Sequence, residues 1–186
     1  MTRVLIVVAV LLYSSPAVAQ ESGQVGLTLA YPASVGLIWH ATDAIAIRPD
    51  FSFSHTHNEG GTNVATSNSW GFGVGVSALF YTGAVRDNVR TYLVPRFAYT
   101  RTNTDSEFEG VPLNTDHHVN SYQYSGSFGV QYTPMRRFGL YGEVGLQYST
   151  SESIFTTVAA GIPAAGKSTS SQFGTRAGVG VIVYCK

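Results

Sequence analysis

A chain of 186 residues with 11 basic and 11 acidic side chains has no net charge to draw it to nucleic acid or to an acidic surface. Its single cysteine, Cys185, closes no intramolecular disulfide, and no stretch of biased composition divides the length into separate domains. Stability must therefore come from one packed or closed unit.

In chain order, the first signal is Met1-Thr2-Arg3, an apolar run from Val4 to Tyr13, and then Pro16-Ala17-Val18-Ala19. A charged start, a short greasy core and a small-x-small site predict a secretory signal peptide over residues 1–19, with residues 20–186 as one barrel domain. The run is too short to span a bilayer, and no cysteine follows Ala19 to carry a lipid. Beyond it, segment after segment alternates apolar and polar residues at period two, which sends successive side chains to opposite faces of a sheet. Strands are expected near 25–31, 35–41, 45–55, 68–82, 89–103, 120–134, 139–152 and 169–184. In residues 70–80 the even positions are Trp70, Phe72, Val74, Val76, Ala78 and Phe80, against mostly Gly and Ser. Residues 122–132 repeat this with Tyr122, Tyr124, Phe128, Val130 and Tyr132. Tight turns are expected at Ala41 to Ala44, Gly83 to Asn88 and Met135 to Phe138. Long polar loops are expected at 56–67, 104–119 and 153–168. Short and long connections thus alternate, as in a meander with turns on one rim and loops on the other. An even strand count requires one more short turn, Tyr31 to Ser34; otherwise 25–40 reads as a single long strand. The fold class expected is all-β, a single closed antiparallel up-and-down transmembrane β-barrel of about eight strands.

Which face meets which solvent decides the function. Soluble lipocalin-like or streptavidin-like barrels put the apolar face inside and cover the outside with Lys and Glu. After residue 19 this chain has only Lys167 and Lys186, and its polar face is Gly, Ser, Thr and Gln. Small residues suit the narrow lumen of an eight-stranded barrel, and the aromatics of the other face gather near strand ends as interfacial girdles do. Five intrastrand charges, Arg48, Asp50, Arg96, Glu143 and Arg176, fall by parity on the polar face. A charge facing lipid at mid-depth costs about 2 to 4 kcal/mol, so a bilayer would enforce that bias. Pro49-Asp50-Phe51-Ser52-Phe53 is echoed by Pro95-Arg96-Phe97-Ala98-Tyr99, which predicts that Asp50 and Arg96 share one luminal network with Arg48, Glu143 and Arg176. Pro49 and Pro95 each remove a ladder donor and suggest local bulges.

Together the signal peptide, the alternation in Gly71-Phe72-Gly73-Val74-Gly75 and Gly178-Val179-Gly180, the aromatic ends and the luminal charges resemble the small eight-stranded outer membrane β-barrel proteins of Gram-negative bacteria. That group includes the transmembrane domain of outer membrane protein A, and the resemblance covers the whole exported chain. It implies a place in the cell outer membrane, reached through the assembly machinery. One departure is the C-terminus: such barrels usually end on an outward aromatic residue, whereas here Tyr184 points inward by parity and is followed by Cys185 and Lys186.

The same resemblance would allow a lipid A deacylase, a palmitoyltransferase or a rim protease. Candidate chemistry is confined to His55 and His57, and to Asp116-His117-His118 beside Asp105, Glu107 and Glu109. An Asp next to two His could orient a general base or, with His55, bind a metal at the rim. No His-x-Ser motif of a deacylase is present. The reading that follows is a monomeric, non-enzymatic scaffold with a filled lumen, without cofactor or metal. Its partners are outer-membrane lipids and lipopolysaccharide, with an extracellular ligand at loops 104–119 and 153–168. The second loop carries a small-apolar tip from Ala159 to Ala165. The alternatives are a narrow ion channel gated by the luminal charges and a soluble periplasmic lipocalin-like carrier.

Overall fold

The computed structural model describes residues 22–32, 34–58, 66–82, 88–107, 113–159 and 162–185. The expected signal peptide, much of the turn at 83–88 and of the loop at 56–67, and residues 160–161 of the small-apolar tip lie outside them. Eight strands follow one another: β1 Val25–Tyr31, β2 Ser34–His40, β3 Ile45–Asn58, β4 Thr66–Thr82, β5 Val89–Glu107, β6 Leu113–Met135, β7 Phe138–Ala159 and β8 Ile162–Tyr184. Each pairs antiparallel with the next, and β8 closes on β1. Residues 25–40 form two strands, with the chain turning between Tyr31 and Ser34.

The register fixes the stagger of the closure. A row of partners starting at Thr28 passes through Gly36, Asp50, Gly75, Ala98, Gln123 and Ser149 to Gln172 on β8. Thr28 itself pairs with Ile182, ten residues further along β8. Such a shear tilts every strand against the barrel axis, and eight strands then leave an interior that side chains can fill.

The alternation becomes two walls. Outside stand Leu29, Leu37, Ile47, Phe51, Phe53, Phe72, Val76, Leu93, Tyr124, Phe128, Val144, Leu146, Phe173 and Val179, all exposed. On β6 the outward aromatics run from Tyr132 to Tyr122, and on β7 from Phe138 to Tyr148. Ten residues at roughly 3.3 Å each, tilted roughly 40°, rise about 25 Å, the height of the apolar band of an outer-membrane barrel. Beyond it the outward face turns polar, with Arg101, Asn120, Glu152, Lys167 and Thr169.

Two expectations about the strands are corrected. Segments 104–119 and 153–168 are largely strand, with β5, β6, β7 and β8 continuing past the aromatic band as paired hairpins. Both faces of these extensions meet water, so no hydrophobic period marks them. β-branched Thr and paired hydroxyls hold them, as in Ser121 with Ser151 at 2.7 Å and Ser69 with Thr104 at 3.0 Å. Likewise, neither Pro49 nor Pro95 makes a bulge. The register runs unchanged past both, from Gly36↔Asp50 to Trp39↔Ile47 and from Ser77↔Arg96 to Phe80↔Leu93. The missing proline N–H removes a rung without adding a residue; the register shift among the described strands lies between Tyr132 and Met135.

The interior is divided along the axis. At the short-turn end Ile38, Ala46, Leu79, Tyr81, Tyr92, Val94, Ile182 and Tyr184 form a buried plug. Tyr184 is inward, its hydroxyl accepting from Gln131 Nε2 at 2.8 Å, and Gln131 Oε1 accepts from Tyr81 at 2.7 Å. No bulge resets β8, so its last outward residue is Val183. The inward glycines are seats for this plug. A Cβ on Gly129 would collide with the fully buried Tyr92 ring, and one on Gly180 would meet the Tyr141 ring. Gly129→Ala should therefore destabilise the barrel by about 1 to 3 kcal/mol, the cost of overpacking. The shift of the urea midpoint in detergent measures it, and an unchanged midpoint would mean that the plug is loose.

Candidate functional site

Above the plug lies a layer of charge. Parity brings Arg48 and Asp50 of β3, Arg96 of β5, Glu143 of β7 and Arg176 of β8 into the lumen. They form two groups rather than the one network expected from the sequence. Arg96 clamps Asp50 with two bonds, Nη2 to Oδ1 at 2.5 Å and Nε to Oδ2 at 3.2 Å. Gly75 on the strand between them leaves the space this guanidinium occupies. Glu143 accepts from three donors: Arg48 Nη2 at 2.6 Å, the Tyr92 hydroxyl at 3.0 Å, and Arg176 Nη1 at 3.3 Å. Arg48 also lies over the Tyr141 ring, 4.7 Å from its centroid. The Arg48 and Glu143 side chains are only 5% and 2% exposed, whereas Arg176 is 21% exposed.

Sequence parity located the five charges but not the tyrosines that complete the layer. Tyr92 sits on the inward run Arg90, Tyr92, Val94, Arg96, and the same count would have found it. On the long-loop side of the layer is a cavity of about 360 Å³. Besides the charged layer, its lining includes the neutral polar side chains Thr28, Ser34, Ser52, Thr100, Gln123 and Gln147. β1 and β2 are seven residues long against 22 and 23 for β7 and β8, so the wall is low at Tyr31 and Pro32, which also line the cavity.

The histidine candidates are dispersed. His117 and His118 point to opposite faces: His117 Nε2 meets Ser153 Oγ at 2.5 Å, while His118 Nδ1 meets Asn103 Oδ1 at 2.7 Å. His118 Nε2 is 3.8 Å from Asp116 Oδ2. The row His55, Trp70, Asn103, His118 puts His55 three strands from His118, roughly 14 Å at about 4.8 Å per strand, so the two share no metal. Among the described residues no group of three His, Cys, Asp or Glu could hold a metal ion. Asp105 lies on β5 at Asp116, and Glu107 is the last residue of β5; Glu109 lies outside the described residues.

No family model matches the chain, and no curated protein does. Among solved structures it is similar to a major outer membrane protein from Thermus thermophilus, with a TM-score of 0.61 at 9% identity over 87% of this chain and 98% of that one. CarO of Acinetobacter baumannii shares 12% identity over 88% of this chain and 98% of that one, with a TM-score of 0.38. At such identities the likeness is one of fold. Closed up-and-down topology, the apolar outer wall and this likeness define the fold, that of an outer-membrane β-barrel.

Proposed function

We propose that this protein is a structural barrel of the outer membrane, closed to solutes, whose rigid wall carries tall external hairpins for contact with other molecules. The observation that carries the reading is the plug. Ile38, Leu79, Tyr92, Val94 and Ile182 are each at most 1% exposed, which supports a lumen closed to solutes at that level. The hairpins of β5–β6 and β7–β8 stand beyond the aromatic band and are its contact surfaces, with lipopolysaccharide the nearest partner. No enzymatic role is part of this proposal, since the His117 and Ser153 pair and the Asp116 and His118 pair share no common centre.

Purified protein placed in planar lipid bilayers tests it. The expected result is a heat-dependent mobility shift of the folded barrel, no stepwise conductance, and no change on Asp50→Ala. Reproducible conductance steps altered by that substitution would sink the scaffold reading. They would favour a narrow ion channel, for which the specific support is that Glu143 is already shared between Arg48 and Arg176. The soluble-carrier alternative requires a water-compatible outside, and Phe53, Phe173 and Val144 at 71%, 67% and 61% exposure argue against it.

A further inference from the structure

We infer that the luminal cavity is a binding site for a small oxyanion, a carboxylate or phosphate group held by Arg176 and Arg48 above the plug. The cavity is lined by three arginines, Arg48, Arg96 and Arg176, against two carboxylates, Asp50 and Glu143, an excess of one positive charge.

Both carboxylates are already engaged. Asp50 gives both oxygens to Arg96, and Glu143 gives one to Arg48 and Tyr92 and the other to Arg176. The excess charge therefore sits on guanidinium groups. Arg48 Nη1 is fully buried and finds no acceptor, while Arg176 makes one long bond at 3.3 Å and is partly open to the cavity. A buried donor without a partner costs about 1 to 3 kcal/mol, more when charged; an anion in the cavity meets Arg176 directly, and a shift of the Arg48 side chain would give its Nη1 the missing acceptor.

The rest of the lining agrees. Thr28, Ser34, Ser52, Thr100, Gln123 and Gln147 are neutral groups that can donate to oxygen. A volume of about 360 Å³ is at the small end of ligand pockets, enough for phosphate or a headgroup but not for a large solute. A Cβ on Gly178 would meet only the Tyr31 carbonyl oxygen at 3.5 Å, so that side of the space is open. The wall is lowest there, at Tyr31 and Pro32, so an anion has two sources: free in the external solution, or the headgroup of an acidic lipid reaching over the β1–β2 turn.

Titration calorimetry of the full exported chain in neutral detergent with potassium phosphate tests the free anion. Retention of phosphatidylglycerol against phosphatidylcholine, read by native mass spectrometry, tests the lipid. Saturable phosphate binding weakened about tenfold or more by Arg176→Gln, the effect of losing one charged hydrogen bond, supports the free source. Phosphatidylglycerol retained by the wild type and lost in Arg176→Gln, without phosphate binding, supports the headgroup. Gly178→Leu, which fills the cavity and leaves every charge in place, should abolish either; it also serves if Arg176→Gln fails to fold. Absence of both forms of binding, or binding untouched by a folded variant, overturns the inference. The mobility shift of each variant reports the barrel separately, so failure of the site is distinguishable from failure of the membrane-barrel reading.

Discussion

Replacing Glu143 by alanine should destabilise the folded barrel by about 3 to 5 kcal/mol, the cost of breaking a buried ion pair from one side. The carboxylate is 2% exposed and is the acceptor for Arg48, Tyr92 and Arg176 together. Its loss leaves the Arg48 charge buried at 5% exposure beside an aromatic plug, with Tyr92 losing the partner of its hydroxyl. Asp50→Ala should cost less, because Asp50 and Arg96 are 10% and 14% exposed and border the cavity, where water can take over some of the lost bonds. Urea unfolding in detergent micelles, followed by the two tryptophans, orders the two variants. A Glu143→Ala loss below about 1 kcal/mol would mean that the layer is hydrated rather than buried. Glu143→Gln keeps an acceptor but not the charge, so it should fall between wild type and alanine.

How much of this was legible in the sequence follows from what each pattern encodes. Period-two alternation reports a boundary between two solvents, so it was clear wherever one face is apolar: Trp70 to Phe80 on β4 and Tyr122 to Tyr132 on β6 read directly as strand. It is silent where both faces are wet. His117, Val119 and Ser121 continue β6 inward and His118 and Asn120 continue it outward, yet neither set differs enough in polarity to reveal the strand. The five luminal charges were placed by parity alone, and parity holds because the register passes Pro49 and Pro95 unbroken. What parity cannot give is depth. Whether Arg48 meets Glu143 or Asp50 depends on the stagger of ten residues around the closed sheet, a property of all eight strands that no single segment carries. The same holds for Gly129 and Tyr92. Their partnership pairs an empty position on β6 with a ring on β5, and either residue alone looks ordinary.

Val144→Arg separates the two solvents most sharply. Val144 stands on the outer wall of β7, between Phe138 and Tyr148, with Phe128 of β6 and Ala177 of β8 as its lateral partners. Facing lipid near mid-depth, an arginine there should cost about 2 to 4 kcal/mol of folding free energy in vesicles. Facing water at 61% exposure, the same change would stay within about 0.5 kcal/mol, as surface substitutions do. Thr156→Arg on the same strand and the same face, beyond the aromatic band, supplies the internal comparison, since it should cost at most about 1 kcal/mol in either solvent. Refolding of both variants into phosphatidylcholine vesicles, scored by the fraction with heat-dependent mobility across a urea series, gives the two costs side by side. A large loss for Val144→Arg with a small one for Thr156→Arg requires a lipid band that ends between the two positions. Equal, small losses would require the apolar wall to be covered by something other than lipid, and the external hairpins would then have no membrane to stand on.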